Sequence, residues 1–222
     1  MGVFNIRHMK VEIWSDVACP FCYIGKRRFE RVLESFPDKD KVVVEWKSFL
    51  LDPSLPKGGK RKIQDYMAQQ KGMSISEVKA MFQHVVEMAQ SEGIEMNMDQ
   101  IIMASTLDMH RLIQYAKTLN LGAEAEEGFF NAYFSGKDFT NESVLLETCK
   151  EIGLHEGEAL NVINSDRFSA EVDNDIYEAK TIGVRGVPHF VFNDKYTVSG
   201  AQPGDVFKGA LEKSYEEWNR SE

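Results

Sequence analysis

Cys19 and Cys22 are separated only by Pro20 and Phe21, and a Cys-x-x-Cys pair serves one of two chemistries, dithiol–disulfide exchange or zinc binding. Zinc in a structural site needs about four ligands. The chain holds 3 cysteines and 5 histidines. Cys149, the remaining cysteine, is distant in sequence and has no histidine at ligand spacing. No metal site is expected. A purely structural disulfide is disfavoured because the loop it would close is tiny. Redox exchange remains, and the surrounding residues suit it. Pro20 fits the first helical position, where its missing N–H is not needed. Cys19 is then the N-cap, its sulfur able to accept hydrogen bonds from the N–H of Phe21 or Cys22 at the positive end of the helix dipole. Both effects favour the thiolate, the form that attacks disulfides. Cys22 follows one turn behind on the same face, deeper in the turn, and reads as the resolving thiol.

The elements that must position this pair follow from periodicity. Val11, Ile13 and Trp14 make a strand over 10–15 ending at Ser15-Asp16. A helix is predicted over 20–36, with Phe29, Val32, Leu33 and Phe36 inward and Lys26, Arg27, Arg28 and Arg31 mainly outward. A Val- and aromatic-rich strand over 42–49 runs into a turn-rich stretch over 51–59. Helices are then predicted over 60–70, 74–91, 107–119, 123–134, 141–152, 156–164 and 167–182. Ser74-Ile75-Ser76-Glu77 has capping-box spacing, and Gly93, Gly122, Gly136 and Gly153 stand where helices should end. Period two returns in strands over 188–192 and 196–199, which flank Asn193-Asp194-Lys195 as a hairpin. A last helix over 203–218 carries Val206, Phe207, Leu211, Tyr215 and Trp218 as its apolar stripe. The order is β-α-β, a helical block, then helix-β-β-α: an α/β chain with a four-stranded sheet covered by helices.

Composition narrows the partners. The 222 residues carry 26 Lys and Arg against 35 Asp and Glu, a formal charge of -9. That balance lacks the basic excess that phosphate backbones demand, so nucleic acid is not an expected partner. The chain has no apolar run of the roughly eighteen residues that spanning requires, so no membrane is expected either. Residues 1–8 lack the apolar stretch of a secretory signal, which makes the cytoplasm the expected compartment. They precede a second methionine, Met9, and read as a tag or an alternative start.

A second motif is Gly183-Val184-Arg185-Gly186-Val187-Pro188-His189-Phe190. A proline at the mouth of a central strand is either trans at the strand start or cis in a sharp entry turn. Cys19-Pro20-Phe21-Cys22 after a strand, the helical insertion and Val187-Pro188 before the hairpin together resemble the DsbA-like thioredoxin superfamily, closest to its FrnE-like cytosolic branch. Trp14-Ser15-Asp16, Met109-His110-Arg111-Leu112 and Ser199-Gly200-Ala201-Gln202-Pro203 extend the likeness over residues 10–218. The resemblance implies a thioredoxin-like fold, β-α-β then β-β-α, with a large all-helical insertion. It implies a thioredoxin-like domain of residues 9–58 plus 156–222 and an inserted helical domain of 59–155, with substrate bound between them. A cis Pro188 beside the Cys19 sulfur, and a Val187 backbone that pairs with an extended substrate segment, are implied as well. Pro20 and Phe21 would complete the active-site support. The strongly oxidising members carry His where this chain has Phe21, which cannot donate a hydrogen bond to a thiolate.

The expected activity is protein-disulfide or dithiol exchange, with isomerisation within its reach, on thiol or disulfide proteins or low-molecular-weight disulfides. It needs no cofactor, glutathione entering only as a redox partner. One alternative is a glutathione-dependent transferase or isomerase related to the kappa-class transferases and 2-hydroxychromene-2-carboxylate isomerase, which typically carry Ser at the position of Cys19. Another is a non-enzymatic protein holding extended peptides through Val187. The remaining polar candidates read as structural. Cys149 lies with Leu145 and Ile152 on a core stripe, and His110 and Arg111 serve helix packing. Lys26-Arg27-Arg28 reads as a solvated face, with an anion site for glutathione as the other reading, and Lys47 as exposed.

Overall fold

The computed structural model describes residues 7–221, so the reading of residues 1–8 as a tag or alternative start falls mostly outside the described residues. The sheet is built around a first strand buried on both faces. In β1 (Met9–Ser15) Met9, Val11 and Ile13 are fully buried on one face, and Trp14 enters a separate core on the other. Helix α1 (Pro20–Glu34) returns the chain to β2 (Val42–Ser48), which pairs in parallel with β1 from Met9–Val42 to Ser15–Ser48.

The middle of the chain is helical, as periodicity predicts: α2 (Ile63–Lys71) after a two-residue strand β3 (Arg61–Lys62), then α3 (Ile75–Ser91). A second two-residue strand, β4 (Ile102–Met103), pairs antiparallel with β3, a bridge too short to leave a period in the sequence. Helices α4 (Leu107–Lys117), α5 (Gly122–Phe134), α6 (Glu142–Ile152), α7 (Glu156–Ile163) and α8 (Ser169–Thr181) follow. The Ser74–Glu77 capping box forms in both directions at the start of α3.

The chain then closes the sheet. β5 (His189–Phe192) lies antiparallel to β1 with Phe190 opposite Ile13, and β6 (Tyr196–Ser199) pairs with β5. The hairpin between them bends through Asn193 and Asp194, both in the left-handed region that short polar side chains tolerate. Helix α9 (Gly204–Arg220) ends the fold. The order β2-β1-β5-β6 gives the expected β-α-β and β-β-α arrangement with helices inserted between its halves. Val206 departs from the predicted stripe of α9: it is exposed, while Phe207, Leu211, Tyr215 and Trp218 are buried.

Two cores meet along α1. Phe29 packs into the sheet core with Phe190, Phe192 and Phe207, its ring 5.5 Å from that of Phe190. One turn nearer the N-terminus, Cys22, Tyr23 and Ile24 belong to the helical core, where Tyr23 stacks on Phe130 at 4.9 Å. The first turn of α1 is therefore walled by the inserted helices, and Phe29 further along it by the sheet. On the far side of the sheet, Asp175 of α8 accepts from the Ser48 N–H (2.8 Å) and Gln114 Nε2 (2.6 Å), and its carbonyl accepts from Trp14 Nε1 (2.9 Å).

Candidate active site

Cys19 ends the loop after β1 with extended backbone, φ -93° and ψ 110°, and Pro20 opens α1 behind it. The Asp16 carbonyl accepts from the Cys19 N–H (2.9 Å), and the Cys19 carbonyl accepts from that of Cys22 (3.0 Å). Cys19 thus holds the N-cap position, but its sulfur makes no capping hydrogen bond, contrary to the sequence expectation. The thiol turns across the site instead and points at the Val187 carbonyl at 3.6 Å. The Val187–Pro188 peptide is cis. Val187 is half-buried and Pro188 buried, so the two sequence motifs, 168 residues apart, come together at one sulfur.

Gly25, which sequence reasoning passed over, makes that approach possible. A Cβ there would stand 3.1 Å from Pro188 Cγ and 3.5 Å from Ala201 Cα and the Phe190 ring. A glycine inside a helix costs about 1 kcal/mol relative to alanine, and its presence mid-helix was the available signal for a close packing contact.

The two thiols, both free, sit in different environments. Cys19 lines a cleft of about 530 Å³ whose walls include Phe21, Leu55, Met67, Phe82, Met103 and Val187. Phe21 is the exposed member of the motif. Cys22 has no exposed surface, and burial, reinforced by the hydrogen bond and charge of Cys19, pushes its pKa well above the ordinary thiol value. Cys149 is equally buried, away from the pair on α6, and its thiol is pushed up to about 12 by desolvation. It lies in the core as predicted.

The basic face of α1 differs from its sequence reading. Lys26 is buried rather than outward, held by Glu30 and by Glu127 of α5. Arg27 donates to Glu127 (2.6 Å), and Arg28 bridges to Glu92 at the end of α3 (2.6 Å) and to the Ala201 carbonyl (2.6 Å). Their charges are matched by carboxylates from the inserted helices. A groove of about 730 Å³ over Lys26, Glu127 and Lys137 is lined by charges that pair with one another. Lys47 is likewise not solvent-exposed: its ammonium lies 3.0 Å from Glu178 and 3.4 Å from Asp175.

Behind the cysteines lies a buried polar group that the sequence did not announce. Asp16 accepts from the Leu51 N–H (2.7 Å) and faces His110 Nε2 at 3.4 Å. Burial opposes a charge on His110, but the hydrogen bond and charge of Asp16, with Glu126 and Asp175 beyond, hold its pKa above the ordinary histidine value. Glu126 of α5 is 2 % exposed, and desolvation raises its pKa. Arg111 packs as expected, donating to the carbonyls of Val162, Ser165 and Arg167. Among the described residues no three His, Cys, Asp or Glu side chains converge as a metal site, and no helix is long and apolar enough to cross a membrane.

Residues 10–212 match the family described as the DSBA-like thioredoxin domain. A probable DsbA oxidoreductase from Streptomyces coelicolor is 36% identical and superposes with a TM-score of 0.91, covering 95% of this chain and 91% of that one. The uncharacterized protein YwbO of Bacillus subtilis is 28% identical over 206 residues, 90% of this chain and 94% of that one. The cytosolic disulfide reductase DsbM from Pseudomonas aeruginosa, in a structure with GSH, shares the fold at 17% identity and a TM-score of 0.64, over 93% of this chain and 99% of that one.

Proposed function

We propose, from the premise that the chain belongs to the DSBA-like thioredoxin domain family, that it exchanges disulfides with Cys19 as the attacking thiol and Cys22 as the resolving thiol. The observation that carries this reading is the division of environments: Cys19 opens onto the cleft, while Cys22, one turn on, is sealed behind it. The Cys19 thiolate attacks one sulfur of a substrate disulfide, and the other sulfur leaves as a thiolate with the bonding electron pair. Cys22, once deprotonated, attacks the Cys19 sulfur of the mixed disulfide. The second substrate thiolate departs, leaving a Cys19–Cys22 disulfide. Substrate gains two electrons and the protein loses two; run backwards, the same steps oxidise a dithiol, and where another substrate thiolate instead of Cys22 attacks the mixed disulfide and expels the Cys19 thiolate, the substrate disulfide is isomerised with no net electron transfer.

Pro20 starts the helix that holds the pair, Phe21 offers an apolar platform at the cleft mouth, and Val187 closes the opposite wall with the buried Pro188 next to it in the chain. The apolar lining favours cysteines flanked by apolar side chains in thiol or disulfide proteins, or low-molecular-weight disulfides of similar character. Glutathione is the proposed redox partner, by analogy with the DsbM structure containing GSH, and the cytoplasm the proposed compartment. No cofactor enters the reaction.

Trapping tests the roles. With a disulfide probe, Cys22→Ser accumulates a mixed disulfide through Cys19, detected as a mass adduct, because no resolving thiol remains. Cys19→Ser does not. Equal trapping by the two variants overturns the assignment.

A further inference from the structure

The segment Ser199-Gly200-Ala201-Gln202-Pro203, between β6 and α9, supports the Val187 side of the cleft from behind. Gly200 turns the chain at φ +81°, in the left-handed region that favours glycine, and its N–H donates to the Pro188 carbonyl (2.8 Å). Ala201 then packs on α1, its Cα 3.5 Å from where a Cβ on Gly25 would stand. The segment is also tied to itself and to β5: Gln202 Nε2 donates to the Ser199 carbonyl (2.9 Å), and Ser199 Oγ shares a hydrogen bond with His189 Nδ1 (2.8 Å). Pro188 and this segment are thus held as one piece.

From α1, Arg28 grips that piece with one arm and α3 with the other. Its Nη1 donates to the Ala201 carbonyl (2.6 Å), and its Nε donates to Glu92 (2.6 Å), the residue that caps the C-terminus of α3. Helix α3 is the element that brings Met81, Phe82 and Val85 to the cleft. The joint is sheltered, with the Arg28 side chain 18% and the Glu92 side chain 9% exposed, and a hydrogen bond to a charged group is stronger than a neutral one. Arg31 approaches the other oxygen of Glu92 at 3.0 Å but is 64% exposed, where an ion pair contributes little.

We propose that Arg28 is a positioning residue that sets the separation of two cleft walls, α3 on one side and the Val187–Pro188 turn on the other, and thereby selects substrates that touch both. The proposal rests on the exchange reading above and adds to it what governs recognition. A guanidinium suits the task because its planar fork fixes the directions of Nε and Nη1 and so holds a carboxylate and a carbonyl at a set angle, which a single ammonium does not. The substrate class this favours is an extended apolar segment with side chains on either side of its cysteine. A small disulfide that meets only the Cys19 sulfur needs neither wall. Arg28 itself does not line the cleft.

Two substrates with one leaving group separate recognition from sulfur chemistry: an apolar peptide whose central cysteine is joined to thionitrobenzoate, and mercaptoethanol joined to it in the same way. Attack of Cys19 on the peptide or mercaptoethanol sulfur expels the coloured thiolate with the electron pair in both. With the reduced protein, Arg28→Met should raise the half-saturating concentration of the peptide conjugate about tenfold, the worth of one charged hydrogen bond, with its limiting rate kept. The rate with the mercaptoethanol conjugate should stay within about twofold. Glu92→Ala should repeat the effect, and the double variant should be no worse than either, because each change opens the same joint. Arg28→Lys should fall between parent and Arg28→Met. If Arg28→Met lowers both rates alike, or changes neither, the joint only holds the fold and the proposal is wrong, while the exchange reading stands. Should Arg28→Met fail to fold by circular dichroism, Arg28→Lys decides, and a parental half-saturating concentration in it overturns the proposal. A parent that releases the thiolate no faster than its Cys19→Ser variant from either conjugate removes the exchange reading and this proposal together.

Discussion

At the scale of single residues, the division of labour between the thiols rests on solvent access rather than on sequence neighbourhood. Cys19 and Cys22 share one helical turn, but only Cys19 meets the cleft. Thiolates alkylate and thiols do not, so iodoacetamide on the native reduced protein should modify Cys19 at least about tenfold faster than Cys22 or Cys149, whose thiols are buried and raised in pKa. Peptide mapping after a short pulse measures this; comparable labelling of Cys149 would contradict its place in the core. Phe21 bears on the potential. Its ring offers no donor, whereas an imidazole N–H at the cleft mouth would stabilise the Cys19 thiolate and with it the reduced form. Phe21→His should therefore make the couple more oxidising by about 30 mV or more, a tenfold change in the equilibrium constant. Equilibration against glutathione reads the shift, and an unchanged or more reducing couple would exclude the mechanism.

At the scale of elements, α1 connects everything the site needs, and Gly25 is where it accepts the Pro188 loop. Replacing Gly25 with alanine sets two effects against each other: helix propensity improves by about 1 kcal/mol, while the new methyl presses on a rigid ring 3.1 Å away. The expected outcome is a stability within about 1 kcal/mol of the parent and a slower exchange reaction, because relief of the clash moves Pro188 and Val187 relative to the Cys19 sulfur. Urea unfolding and a disulfide-reductase assay on the same preparation separate the two, and full activity would show that the contact does not set the site's geometry. This also marks what the sequence could convey. The strands, most helix limits and the Cys-Pro-Phe-Cys turn are legible because they depend on local periodicity and on chain-local caps. Lys26 and Lys47 misled because a cation on an amphipathic element looks solvated until its carboxylate partners arrive from elsewhere: Glu127 lies 101 residues beyond Lys26, and Glu178 lies 131 beyond Lys47. Glu126 was hidden for the same reason, since it sits in Glu124-Ala125-Glu126-Glu127, a run with the appearance of a wet face.

At the scale of the whole molecule, the inserted helices do more than cover the sheet, since they bury His110 and Glu126 against the end of β1 and so tie folding stability to pH. His110 has its folded pKa held above its unfolded value near 6.5 by Asp16, despite the opposing effect of burial. The stabilisation from that pairing is complete below pH 6.5 and is lost as pH rises through the folded value. Glu126 acts in the same direction: its folded pKa, raised by burial, means that stability falls from about pH 4.5 upward until the folded group ionises. His189 works the other way, its pKa lowered by burial, and withdraws stability as pH falls below 6.5. The depressed carboxylates, Glu127 and Glu178, have their effect lower still, as pH falls from 4.5 through their folded values. Above pH 6.5, and below the range where the buried thiols titrate, the His110 pairing lowers stability as pH rises, Glu126 adds to the fall for as long as its folded carboxyl stays protonated, and the unfolding free energy should decline from pH 6.5 to about pH 8. His110→Gln can place an amide nitrogen where Nε2 faces Asp16 but cannot titrate, so it should be less stable than the parent at pH 6 by about 1.5–3 kcal/mol, the range for a charged hydrogen bond, and flatter between pH 6.5 and 8. Urea unfolding at stepped pH on both proteins is the measurement. A parent whose stability rises over that interval, or a Gln variant with the parental slope, would show that the Asp16–His110 pair does not carry the pH dependence.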